Sequence, residues 1–163
     1  MVTIEHYKVP CQECGIACMD YLCLQATDNG EPAGTYHGIK GFTSYRWGTR
    51  FIMNVIISTP GPDCMDCGGP TAELDEVLDT TVQPAGTRFE LGLAARYLAA
   101  GTESDLRLVE PDCGGTERHL MCADAAACEP LHEVMESTEL NAAVTPTFEH
   151  PSDPSQPLIV VNP

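Results

Sequence analysis

The feature that most constrains the fold is the stretch from Tyr36 to Ile57, YHGIKGFTSYRWGTRFIMNVII. It contains the single Trp and two of the four Phe residues, and it ends in a run rich in β-branched and apolar side chains. Such residues favour strands because they pack well on a pleated surface. We therefore predict two strands flanking a bend here, with Phe42 and Trp47 buried at the centre of a small core.

The remaining elements are expected to be short. The chain has 13 Pro and 14 Gly in 163 residues, which is typical of a turn-rich β protein. Alternating or apolar runs predict further strands, and the sequence LHEVMESTEL after Pro130 predicts one short helix near residues 129–140. The predicted fold class is mainly β, a small antiparallel sheet or barrel with that helix. The predicted strands cover residues 2–9, 21–26, 105–110, 147–149 and 158–161.

Composition along the chain predicts its division. The segment TPGPDCMDCGGP at residues 59–70 holds three Pro and three Gly, which predicts a loop insert. Residues 72–78 could form one short helical turn. We predict a β domain over residues 1–111 carrying that insert, and an acidic C-terminal extension over residues 112–163 that packs on or beside it.

The charge is strongly negative and uneven. The net charge is −16, and residues 60–163 hold nineteen acids but only four bases. A field of this sign repels nucleic acid and anionic lipid, so we expect no nucleic-acid partner. No apolar run is long enough to span a membrane, so membrane attachment would require lipidation upstream of Met1.

Nine cysteines demand an explanation, and a disulfide framework in an oxidising compartment is the first. It accounts for most of the thiols, and the odd total leaves one free thiol or an intermolecular bond. We predict at least three disulfides, one of them a local bond between Cys122 and Cys128. The candidates are Cys11, Cys14, Cys18, Cys23, Cys64, Cys67, Cys113, Cys122 and Cys128.

The alternative explanation is a zinc ribbon. Two stretches have the form CxxCG, and paired knuckles of this kind wrap four thiolates round one Zn²⁺. The ligands would be Cys11, Cys14, Cys64 and Cys67. The two knuckles are far apart in sequence, and five cysteines would stay unexplained. We therefore expect no cofactor, with zinc as the alternative.

The middle of the chain resembles a bacterial cell-envelope domain of unknown function that occurs in lipoproteins, often beside META/HslJ-type domains. The resemblance covers roughly residues 5–111 and is carried by a Cys, a Cys-Leu strand, an aromatic residue and an Ile-x-Gly-Phe motif. It implies export, a β-rich fold and a disulfide between Cys14 and Cys23. With the single Trp, the predicted core motif is Leu24, Tyr36, Ile39, Gly41, Phe42 and Trp47.

No recognised catalytic motif is present in the sequence: the chain has no GxSxG, no phosphate-binding loop and no complete HExxH. We therefore predict no catalytic residues, although an enzyme site assembled from scattered residues is left open. The predicted function is that of a secreted or cell-envelope, disulfide-stabilised protein acting by binding to a protein partner or by self-assembly. The alternative is a cytoplasmic zinc-ribbon protein.

Overall fold

The computed structural model describes residues 1–14, 17–28, 30–59, 70–100, 105–111, 116–139 and 142–162, without the side chains of residues 13, 14 and 116. Among the described residues, 57% lie in strands and 11% are helical, which confirms the mainly β class. The chain forms two compact units, Met1–Gln83 and Pro84–Pro163. The strands on either side of residue 112, where we predicted a boundary, pair with each other inside the second unit.

Unit 1 is an antiparallel sheet whose order, over its described residues, is β3-β2-β1-β4-β5. The predicted strands at residues 2–9 and 21–26 are confirmed, and both are longer than the sequence patterns indicated. The strands are β1 (Val2–Cys14), β2 (Cys18–Asp28), β3 (Glu31–Tyr36), β4 (Thr49–Ser58) and β5 (Thr71–Val82).

The core of unit 1 lies against one face of this sheet. Along β4, buried Phe51 and Met53 alternate with partly exposed residues, as expected of a strand with one covered face. Ile4 of β1 lies opposite Phe51, and Leu24 of β2 lies opposite Tyr36. These side chains form one cluster.

The prediction of two strands within Tyr36–Ile57 is wrong in its first half. Only the second half is a strand, β4, whereas residues 37–48 form a loop that contains a single bridge at Lys40. Gly41 and Gly48 have φ angles of 83° and 82°, which non-glycine residues rarely adopt. These positive angles let the loop turn and lay Phe42 on the core.

Within its described residues, unit 2 contains a six-stranded sheet of order β6-β12-β13-β10-β9-β8, a two-stranded sheet of β7 and β11, one α-helix and a short 3₁₀ helix at Ala95–Tyr97. All pairs are antiparallel except β10 with β13. The predicted closing strands at residues 147–149 and 158–161 and the strand within 105–110 are confirmed. The strands are β6 (Arg88–Glu90), β7 (Leu93–Ala94), β8 (Leu98–Ala100), β9 (Leu106–Val109), β10 (Thr116–Cys122), β11 (Ala143–Val144), β12 (Thr147–Glu149) and β13 (Leu158–Val161).

The helix α1 spans Ala125–Glu136, so it begins and ends about one turn earlier than predicted. Asp124 caps it, because the carboxylate accepts a hydrogen bond from the backbone N–H of Ala127 at 2.9 Å. Pro130 is therefore the sixth residue of the helix and does not lie in its first turn. Leu131 and Val134 bury one face of α1, whose neighbours include β10 and β13.

Candidate functional site

The hairpin of β1 and β2 carries the first disulfide, Cys11–Cys23, with a Cα–Cα distance of 5.8 Å. The predicted Cys14–Cys23 bond is therefore wrong. Strand register explains this: Cys14 lies opposite Cys18, five residue pairs from Cys23, or about 17 Å along the strand. A disulfide needs Cα atoms within about 7 Å.

The second disulfide, Cys122–Cys128, joins the end of β10 to the first turns of α1 and is confirmed as predicted. Its Cα atoms are 5.7 Å apart, and Cys128 is buried. Cys18 is disulfide-bonded as well. Its partner is none of the four cysteines in the two bonds above, so Cys18 belongs to a third disulfide. Candidates Cys64, Cys67 and Cys113 lie outside the described residues.

The disulfides bear directly on the zinc alternative. The sulfur of Cys11 is bonded to that of Cys23, so its thiolate is not available to the predicted ligand set. Of the other three ligands, Cys64 and Cys67 and the side chain of Cys14 lie outside the description. Among the described residues, no group of three or more His, Cys, Asp and Glu side chains is placed to hold a metal ion.

The predicted core motif is gathered in unit 1. Leu24, Ile39 and Phe42 belong to the buried cluster, and Tyr36 packs against it. Trp47 is 6% exposed at the end of the same loop, so its predicted burial and that of Phe42 are confirmed. Gly41 contributes its backbone conformation instead of packing. These residues stabilise the unit and present no reactive group.

A polar cluster is buried where β1 bulges between Ile4 and Lys8. Glu5 accepts hydrogen bonds from the Thr27 hydroxyl at 2.9 Å and from the Arg50 guanidinium at 3.0 Å, which ties β1 to β2 and β4. Burial lowers the pKa of His6, an effect that Glu5 opposes and Arg50 reinforces. The ion pair satisfies a buried carboxylate, so we assign this cluster a structural role.

The most distinctive exposed feature is a row of carboxylates on β5. Glu73, Glu76 and Asp79 lie opposite alternate residues of β4 and therefore share one face of the sheet. They are three residues apart in sequence because Asp75 and Leu78 are bulged out of the register. We call these three carboxylates the acidic row.

Sequence reasoning missed this strand and predicted a helical turn at residues 72–78. That prediction is wrong. Spacing of acids by three residues is typical of a helix face, and the two bulges produce the same spacing in a strand. The signal that could have identified a strand is the β-prone run of Thr80, Thr81 and Val82 at its end.

Lys40, from the loop of residues 37–48, pairs with the edge of β5 that faces away from β4. The backbone N–H of Lys40 donates to the carbonyl of Ala72 at 2.9 Å, and the N–H of Leu74 donates to the carbonyl of Lys40 at 2.8 Å. The Lys40 ammonium lies 3.1 Å from a carboxylate oxygen of Glu73. Lys40 is thus held on this edge by two backbone hydrogen bonds and by an ion pair.

Unit 2 has an open cleft of about 310 Å³ between β10 and the turn that precedes β13. Arg118 donates to the backbone carbonyls of Pro154 and Gln156 across it. Hydrogen bonds from the backbone and then the hydroxyl of Ser155 lower the pKa of Asp153, and Arg118 adds to this. The Arg118 guanidinium holds the turn at residues 154–156 in place, so we assign this cleft a structural role.

Within the described residues, no helix has the length and apolar composition needed to cross a lipid bilayer. No family model matches the chain, and neither a curated protein nor a solved structure is significantly similar to it.

Proposed function

We propose that the protein is an exported domain, secreted or held in a cell envelope, that is stabilised by disulfides and acts by binding a protein partner. The observation that carries this proposal is a disulfide in each unit, Cys11–Cys23 in one and Cys122–Cys128 in the other. Stable structural disulfides are typical of oxidising compartments and rare in the cytosol of most organisms. The resemblance to a cell-envelope domain points to the same compartment.

Binding is favoured over catalysis by the kind of surface that the chain displays. The acidic row and the free edge of β5 offer charge and backbone hydrogen-bonding groups along a strand whose residues are all exposed or half-exposed, except for buried Ala72. An exposed sheet edge is suited to pairing with another chain. The two polar clusters described above serve instead to hold strands and turns together.

The experiment compares the oxidation state of the protein recovered from its natural source with that of protein made in a reducing cytosol. Under denaturing, non-reducing conditions, the intact mass of the natural protein should be lower than that of the fully reduced chain by about two hydrogens for each disulfide. Peptide mapping should recover Cys11–Cys23 and Cys122–Cys128. Reduction should lower the unfolding midpoint, because each native disulfide typically contributes about 2–5 kcal/mol.

A chelator provides the matched control. Addition of EDTA should leave the unfolding midpoint unchanged, whereas a zinc-dependent fold would be lost on chelation. Recovery of the natural protein with Cys122 and Cys128 as free thiols, or with bound zinc, would contradict the proposal.

A further inference from the structure

The edge strand β5 has a continuous stretch whose outer side pairs with no other described strand. Within the part of the chain that the structure describes, β4 pairs along one edge of β5, and Lys40 is the partner on the other edge, at Ala72–Leu74. Residues 75–82 continue the strand to its end, and all of them are exposed. Such an edge presents unpaired backbone N–H and C=O groups to a second chain.

Lys40 shows what this edge accepts. It bridges to β5 through two backbone hydrogen bonds and places its ammonium on Glu73, the first member of the acidic row. Glu76 and Asp79 follow on the same face, and Thr71–Val82 contains four acids and no base. Beyond the position of Lys40, β5 therefore offers the same combination of an exposed strand edge and carboxylates on one face, and the strand itself supplies no Lys or Arg to neutralise them.

We propose that residues 75–82 of β5 bind an extended, basic segment of a partner protein as an added strand. The segment carries Lys or Arg at alternate positions, because alternate residues of a strand share a face about 7 Å apart and would meet Glu76 and Asp79. This inference rests on the proposed function and names the chemistry of its partner.

A second copy of this chain is a poor occupant of the same edge. Pairing β5 with β5 would place carboxylates opposite carboxylates, which destabilises a strand pair. The bulges at Asp75 and Leu78 interrupt the regular spacing of backbone groups, as is common on protected edges. Backbone pairing alone is therefore a weak attraction here, and complementary charge provides the selectivity.

The test uses the full-length, oxidised protein and a fluorescent peptide, Thr-Lys-Val-Lys-Val-Lys-Thr, with binding followed by fluorescence anisotropy at physiological ionic strength. We expect saturable binding that E76K/D79K weakens by about tenfold or more, since two attractive pairs become repulsive. The same peptide with Glu in place of Lys should not bind.

The matched control variant is D28K/E31K, which makes the same change of net charge. Asp28 and Glu31 are exposed on β2 and β3, the third and fourth strands from β5 in the sheet order. Neither strand is a hydrogen-bonding neighbour of β5, so an added strand would not lie beside these two carboxylates and this variant should retain binding. Equal losses in both variants would overturn the proposal, since they would indicate general attraction to an acidic protein.

Two further peptides test the backbone pairing. The first peptide is N-methylated on its odd-numbered residues and the second on its even-numbered residues. Since the N–H groups of alternate residues point to opposite edges of a strand, only one of the two peptides loses the N–H groups that face β5, and both keep their charges. One should bind about tenfold more weakly than the other. Equal binding by both, or no binding by the unmodified peptide, would overturn strand addition. Disulfides are verified by mass beforehand, so this result is independent of the compartment proposal.

Discussion

Phe42 offers the sharpest test of how the core of unit 1 is built. It is 9% exposed and comes from the loop of residues 37–48, not from a strand. Its ring contacts Phe51 edge to face, with centroids 5.0 Å apart at 78°. Replacing Phe42 with Ala should therefore remove both apolar burial and an aromatic pair.

The expected loss in free energy of unfolding is about 3–5 kcal/mol for Phe42→Ala, the range found for buried Phe. About 0.5–1.5 kcal/mol of this should come from the ring pair with Phe51. The loop is held near Phe42 by backbone bonds from Lys40 to β5, which limits collapse into the cavity. Phe42→Leu keeps most of the volume and should cost about 1 kcal/mol.

Urea denaturation followed by Trp47 fluorescence measures this directly. Trp47 is the single Trp and is buried in unit 1, so its signal reports the unfolding of that unit. Thr43→Ala, an exposed change in the same loop, is the control and should stay within about 0.5 kcal/mol of the wild type. A loss below about 1 kcal/mol for Phe42→Ala, with an unchanged urea slope, would refute the placement of this ring in the core.

Three other predictions concern both units. Cys122→Ala/Cys128→Ala should lower stability by about 2.2 kcal/mol from loop entropy, given a sequence separation of 6; calorimetry showing no change would refute this. Deleting residues 157–163 removes β13 from between two strands, so the melting temperature should fall; an unaltered transition would contradict it. The lowered pKa of His6 means that the unfolded chain binds its proton more readily, so stability should decline as pH falls below about 6.5. His6→Gln should flatten that decline in urea titrations read through Trp47, and an equally steep decline would contradict the assignment.

The two closing strands were predictable from the sequence alone. The bounds predicted for residues 147–149 and 158–161 agree with β12 and β13. Both segments are short and lie between Pro residues in the sequence, so local preference and tertiary packing favour the same structure. The local Cys122–Cys128 bond was predictable for the same reason, since its partners are separated by 6 positions in the sequence.

Features that depend on register were not predictable. The disulfide partner of Cys23 is set by which residue of β1 lies near it, and the sequence offers several cysteines at similar separations. The acidic row was hidden by two bulges, which exist only because β4 fixes the pairing of β5. The start of α1 depends on a cap at Asp124, whereas the sequence suggested Pro130 in the first turn.

What the sequence determined by itself was therefore the class of the protein: mainly β, acidic, rich in turns and in cysteines that can be oxidised. These properties follow from composition and from short-range patterns, which act before any distant residues meet. Tertiary structure alone decided that the loop of residues 37–48 covers the core, that Cys11 takes Cys23, and that Lys40 sits on the edge of β5. Each of these depends on contacts between residues far apart in the chain, whose pairing is selected by burial and backbone hydrogen bonding across the whole sheet.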